Sequence, residues 1–149
     1  MSVLFKGIAE PRIKRIFNEV LDNYPELKKH NLILRQREMP KTTMRAQPKM
    51  RSFFKTETVY EVELSNNVDL DDVVKIKEVP DDVLKGWFAH ELGHVMDYLG
   101  RSFFGMIWFG FRYVVSKKFR IRTEHEADKI AIKYGMAEDI LRTKRYILE

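Results

Sequence analysis

The 149-residue chain contains no cysteine. Disulfides and thiolate-bound metals are therefore excluded, and any metal ion must be held through His, Asp or Glu. Histidine is scarce as well, with four in the whole chain, so few positions can serve as nitrogen ligands. The seven glycines and five prolines are dispersed, and neither a repeat nor a low-complexity tract divides the sequence. The opening ten residues, MSVLFKGIAE, lack both a basic start and an apolar run long enough for a signal peptide. An intracellular, cytoplasmic protein is the expectation. The most apolar stretch, FFGMIWFGFRYVV over 103–115, is interrupted by Arg112 and is too short to cross a bilayer as a helix.

What is present points to one globular domain over residues 1–149: 44% of residues are hydrophobic and 12% aromatic, enough for a core of its own. The 27 Lys and Arg exceed the 22 Asp and Glu, a net charge of +5 that favours acidic partners without naming one. The basic run from Arg112 to Arg122 contains no recognised nucleic-acid motif, so no nucleic-acid partner is expected. For 103–115 the expectation is a core helix or hairpin. The second option is peripheral membrane contact, with the stretch lying on a bilayer surface backed by Lys117, Lys118, Arg120 and Arg122.

Periodicity orders the chain. Ile13, Ile16, Phe17, Val20 and Leu21 recur at spacings of three and four after Pro11, which predicts an amphipathic helix over 11–23. The segments LILRQRE, TMRAQ and TVYEVEL, between Leu32 and Leu64, alternate in part and are separated by Pro40 and Pro48, so they read as strands. In the last of them Tyr60, Val62 and Leu64 alternate with Glu61 and Glu63, which predicts one buried and one wetted face, ending at Asn66 and Asn67. Helices are expected from about Pro80 to Leu99 and from about Lys118 to Tyr134, the latter stopped by Gly135, with a short helix after it. The class is α+β: an N-terminal helix and small sheet, then an active-site helix and a C-terminal helical part.

Residues 90–94 read HELGH. On a helix, His90 and His94 stand about 40° apart, so both imidazoles can reach one ion, with Glu91 beside them. Around the same helix Trp87, Glu91, His94 and Tyr98 share a sector. Leu84, Phe88, Leu92, Val95 and Leu99 form a separate apolar one, while Gly86, Ala89 and Gly93 leave a third face where another backbone can come close.

Two histidines leave a catalytic zinc one protein ligand short. A third histidine in HExxHxxGxxH spacing is excluded, because Asp97 and Arg101 occupy the positions that need Gly and His. The remaining candidates lie in TEHEAD, 123–128. There Glu124, Ala127, Asp128 and Ala131 form one helical stripe in which small residues permit close packing and two acids face the neighbouring helix. Glu124 is the expected third ligand and Asp128 the carboxylate that orients a histidine. Glu126 and His125 are the alternatives to Glu124, although His125 points about 100° away and suits a surface or cleft-rim position. His30 is expected to be exposed and uninvolved.

HELGH followed by ExxAD at 124–128 resembles the gluzincin metallopeptidases, above all the soluble minigluzincins and the catalytic domains of HtpX and of CAAX-prenyl endopeptidases. The ImmA/IrrE-type peptidases share HELGH and a similar ExxAN segment, where this chain has Asp128. The resemblance implies a zincin-like domain, two histidine ligands, Glu91 as general base, Glu124 as ligand and Asp128 as support, with His90 its expected partner. The HtpX group often carries serine and arginine four and three residues before the ligand glutamate. Here Arg120 and Ile121 stand there instead.

The expected function is zinc-dependent hydrolysis of peptide or protein substrates. Tyr113, Tyr134, Arg120 and Arg122 are candidates to donate a hydrogen bond to an oxyanion, and the strand Val59–Leu64 is the expected edge for an extended substrate. The competing class is a self-inhibited or non-hydrolytic zinc protein, whose fourth ligand position would be filled by a side chain or by the C-terminal tail.

Overall fold

The computed structural model describes residues 3–68 and 74–148. Strand β1 (Val3–Lys6) leads through Gly7 into helix α1 (Pro11–Leu21), and strands β2 (Asn31–Gln36), β3 (Met44–Pro48) and β4 (Val59–Leu64) follow. A two-stranded antiparallel sheet, β5 (Asn67–Val68) with β6 (Val74–Lys75), precedes four helices: α2 (Asp81–Tyr98), α3 (Phe103–Val115), α4 (Lys117–Lys133) and α5 (Ala137–Leu148). The protein is α+β, as its periodicity predicts.

The main sheet runs in the order β1-β2-β4-β3. The first three strands are mutually parallel, and β3 lies antiparallel to β4 on the edge. One sheet face, carrying Leu32, Leu34, Tyr60, Val62, Leu64 and Met44, is buried under α1 and α2. Phe17 of α1 meets Phe88 of α2 edge to face at 5.3 Å, and the Tyr24 hydroxyl donates to the Ala89 carbonyl at 2.8 Å. α2 thus sits at the centre, against α1 and the sheet on one side and α4 and α5 on the other.

Four features differ from the sequence reading. β1, absent from it, pairs in parallel with β2, a contact across about thirty residues that local periodicity does not carry. The second face of β4 is not wetted: Glu61 and Glu63 are only 5% and 2% exposed. Because β4 is an interior strand, its neighbours reach over these carboxylates, Arg35 bonding Glu61 while Arg37, Arg45 and Gln47 bond Glu63. For the same reason β4 offers no free edge to a substrate, since β2 and β3 occupy both its sides and the sheet edges are β1 and β3, with β3 the one next to β4. Finally, 103–115 is a helix but not a core element, since within it only Met106 and Phe109 are buried. Its apolar residues run all the way round, so periodicity cannot tell which side is covered.

Candidate metal centre

The site is built where α2 and α4 touch. A Cβ on Gly93 would lie 2.5 Å from the Ala127 carbonyl oxygen, and one on Gly86 would clash with Thr143 Oγ1 and with the Asp139 carbonyl at the start of α5. The absence of side chains at these two positions lets both helices approach α2 closely, as the third face of the HELGH helix anticipates. On α4, Ala127 and Ala131 are fully buried against α2, which carries Glu124 and Asp128 up to the histidines.

His90 Nε2, His94 Nε2 and one oxygen of Glu124 converge. The histidine nitrogens are 3.1 Å apart and lie 2.9 and 2.8 Å from Glu124 Oε2. His90 Nδ1 meets Asp128 Oδ1 at 2.7 Å, and the other Asp128 oxygen accepts from Lys144 Nζ at 2.8 Å. His94 Nδ1 is buried without a hydrogen-bond partner among the described residues, and its ring is held by stacking on Tyr98 at 6.2 Å. The Tyr113 hydroxyl donates to the remaining Glu124 oxygen at 2.8 Å.

The chemistry of this donor set fits a cation. If His90 donates Nδ1–H to Asp128, its Nε2 presents a lone pair, and that lone pair faces an acceptor-only carboxylate oxygen and a second imidazole nitrogen. Three lone pairs at such separations repel unless positive charge lies between them. Donors around a tetrahedral zinc with bonds of roughly 2.0–2.2 Å stand about 3.3–3.6 Å apart, somewhat wider than the 2.8 to 3.1 Å here. Without a metal the demand falls on protons. Burial works against the His90 imidazolium, but hydrogen bonds to Asp128 and Glu124 outweigh it and push its pKa up to about 10. Burial likewise opposes ionised Glu124, yet its bonds to His90 and His94 hold its pKa far below the usual carboxylate range. For Asp128 burial is again overcome, by His90 and Lys144, and its pKa is lowered.

The chain matches no protein-family model, no curated protein and no solved structure.

Glu91 is buried beside the cluster, and burial raises its carboxyl pKa while His90 and His94 pull it back. It borders a cleft of about 470 Å³ whose lining includes His94, Glu124, Tyr113, Met106 and Phe109 as well as β3 from Met44 to Pro48. The Tyr98 hydroxyl donates to the Ala46 carbonyl at 3.2 Å and so ties edge strand β3 to α2, the helix that carries the two histidines. This partnership was not legible in the sequence, which placed Tyr98 on the ligand face but could not pair it with β3. No α5 residue lines the cleft, because α5 packs on α2 from the opposite side of His90.

The remaining candidates separate. Arg120 donates to the Tyr113 and Val114 carbonyls and so caps the C-terminal end of α3 rather than lining the cleft. The Tyr134 ring packs at a tilt of 48° on Tyr24, and its carbonyl accepts from Asn23. Arg122 and His125 are exposed, the latter as expected for a surface position. His30 is half-buried against the edge of Tyr60 instead of exposed.

Proposed function

We propose that this protein is a zinc-dependent endopeptidase of the gluzincin kind, with His90, His94 and Glu124 as metal ligands and Glu91 as general base. The observation that carries the reading is the convergence of those three donor atoms, with separations from 2.8 to 3.1 Å, beside a buried carboxylate at the floor of an open cleft.

His90, His94 and Glu124 would hold the zinc, whose Lewis acidity would act on an attacking water and on the scissile carbonyl. Glu91 accepts the proton of that water and delivers it to the leaving amine. Its burial favours this work, because burial raises its pKa and so makes it a stronger base than an exposed carboxylate. Asp128 holds the His90 ring through Nδ1 and so fixes which nitrogen faces the metal. β3 supplies an unpaired strand edge along the cleft, on which a peptide substrate can be held extended. The Tyr113 hydroxyl gives its one proton to Glu124 at 2.8 Å and so steadies that carboxylate, and it would serve an oxyanion formed beside it only by exchanging this bond for the new one.

The test is metal content together with peptide cleavage. Protein purified without added metal is expected to carry one zinc per chain and to cleave an unstructured quenched-fluorescence polypeptide. Glu91→Gln should keep the zinc and lose cleavage by at least a hundredfold, within the range of about 10² to 10⁴ for a general base. Retained activity in Glu91→Gln, or no metal bound by wild type, would overturn the proposal.

A further inference from the structure

α3 has two apolar faces, and among the described residues only one of them is packed against the rest of the molecule. Met106 and Phe109 point into the molecule, where Phe109 meets Tyr98 and Phe119. On the opposite side Phe104, Ile107, Trp108, Phe111 and Val114 form a continuous stripe at helical spacing, with exposures from 49% to 78%. Phe54, 75% exposed, extends the stripe by packing its ring on Phe103 at 4.9 Å. Two aromatics of the stripe, Trp108 and Phe111, stack on each other at 5.7 Å in the open. Apolar surface of this size and contiguity costs free energy in water unless something covers it.

The charge around the stripe identifies the cover. Between Asp97 and Glu124 there is no acidic residue and there are six basic ones, Arg101, Arg112, Lys117, Lys118, Arg120 and Arg122. Between Glu38 and Glu57 there is again none, against Lys41, Arg45, Lys49, Arg51 and Lys55. The net charge of the whole chain is only +5, so the rest of the molecule is negative and its positive charge is concentrated in the two segments that wall the cleft and carry the stripe. Lys117 and Lys118 are exposed immediately after the stripe ends. A helix of 13 residues is about 20 Å long, short of a hydrocarbon core of roughly 30 Å, and among the described residues no helix is long and apolar enough to cross a membrane. Tryptophan and phenylalanine over a basic rim is the composition of a helix that lies in the plane of a lipid surface.

We propose that α3, with Phe54, beds into the interfacial layer of an anionic bilayer, with Lys55, Lys117, Lys118 and Arg122 among the headgroups. Val114 belongs both to the stripe and to the lining of the cleft, so the bound molecule holds that wall of the cleft at the headgroup layer. If the peptidase reading holds, its substrates are polypeptide segments at a membrane surface. The lipid contact itself depends on neither metal nor catalysis.

The experiment measures binding of the full chain to vesicles of phosphatidylcholine alone and of phosphatidylcholine with phosphatidylglycerol, by flotation and by tryptophan emission. Trp108 is 60% exposed while Trp87 is 9% exposed, so a change of environment on binding is read mainly from Trp108. Wild type should float with the anionic vesicles at least tenfold more than with the neutral ones, with emission shifted to the blue and the binding weakened by salt. Phe111→Glu should abolish the shift. Lys117→Glu with Lys118→Glu should weaken anionic binding by at least tenfold, since each charge near the surface is worth roughly fivefold. These side chains are exposed, and thermal melting verifies that the variants remain folded. No flotation of wild type, or flotation unchanged in Phe111→Glu, would overturn the proposal. So would a blue-shifted Trp108 in a vesicle-free dimer, which would show that a second copy of the chain covers the stripe.

Discussion

Gly93 of α2 and Ala127 of α4 meet backbone to backbone, with room for no side chain at the glycine: a Cβ there would stand 2.5 Å from the Ala127 carbonyl oxygen. Their contact sets the distance between the histidines on one helix and Glu124 on the other.

Gly93→Ala should therefore destabilise the protein and loosen the cluster of His90, His94 and Glu124 together. Alanine gains up to about 1 kcal/mol of helix propensity over glycine, whereas overpacking against fixed backbone costs about 1–3 kcal/mol, so the clash prevails. Gly110→Ala on α3, where a Cβ meets nothing within 4 Å, should instead raise stability by about 0.5–1 kcal/mol. Denaturant midpoints of the two variants check the pair, and a stabilised Gly93→Ala would show that the helices are not in tight contact.

Asp128→Asn should fold normally and hold zinc roughly 10- to 100-fold more weakly, because the amide keeps an acceptor for His90 Nδ1 but loses the charge that makes the histidine a better ligand. Chelator competition measures this. Wild-type affinity in the variant would reduce Asp128 to a partner for Lys144 and remove it from the site.

Tyr98→Phe removes the hydroxyl that bonds the Ala46 carbonyl and should cost about 0.5–1.5 kcal/mol. Loss of this tie should also free the edge strand, so amide exchange of residues 44–48 should quicken more than that of β2. Uniform exchange rates across the sheet would count against an anchoring role.

Acid should act on the sheet through Glu63. Burial raises its pKa, but bonds from Arg37 and Arg45 more than offset this, and the folded-state pKa is lowered. A lowered folded pKa contributes stability that is complete above the unfolded value of about 4.3 and is lost as pH falls through the folded one. Wild type should therefore be more stable than Glu63→Gln at pH 7, and the gap should narrow below about pH 5. A gap that does not change with pH would place the effect in packing instead.

Much of the fold could be read in advance because its signals are local. The apolar spacing of α1, the proline and acids opening α2 and the stop at Gly135, whose φ is +89°, each concern a few neighbouring residues. β1 escaped notice because four residues without alternation carry little strand signal, and they become a strand only beside β2. The burial of Glu61 and Glu63 was hidden for a related reason, since alternation reveals two faces but not what neighbouring strands lay over them.

The sequence by itself determined the motif at 90–94, because two histidines four residues apart share a helix face whatever surrounds them, and it marked the small residues of α2 and α4 that let those helices touch. Only the tertiary structure decided that Glu124 reaches the same point as the histidines from 30 and 34 residues away, that Tyr113 bonds Glu124 and Asp128 bonds His90, and that β3 rather than β4 borders the cleft. It also decided that the second face of α3 is left in solvent. These depend on which elements pack together, and packing between distant segments is a property of the whole chain, set by shape and burial that no window of neighbouring residues contains.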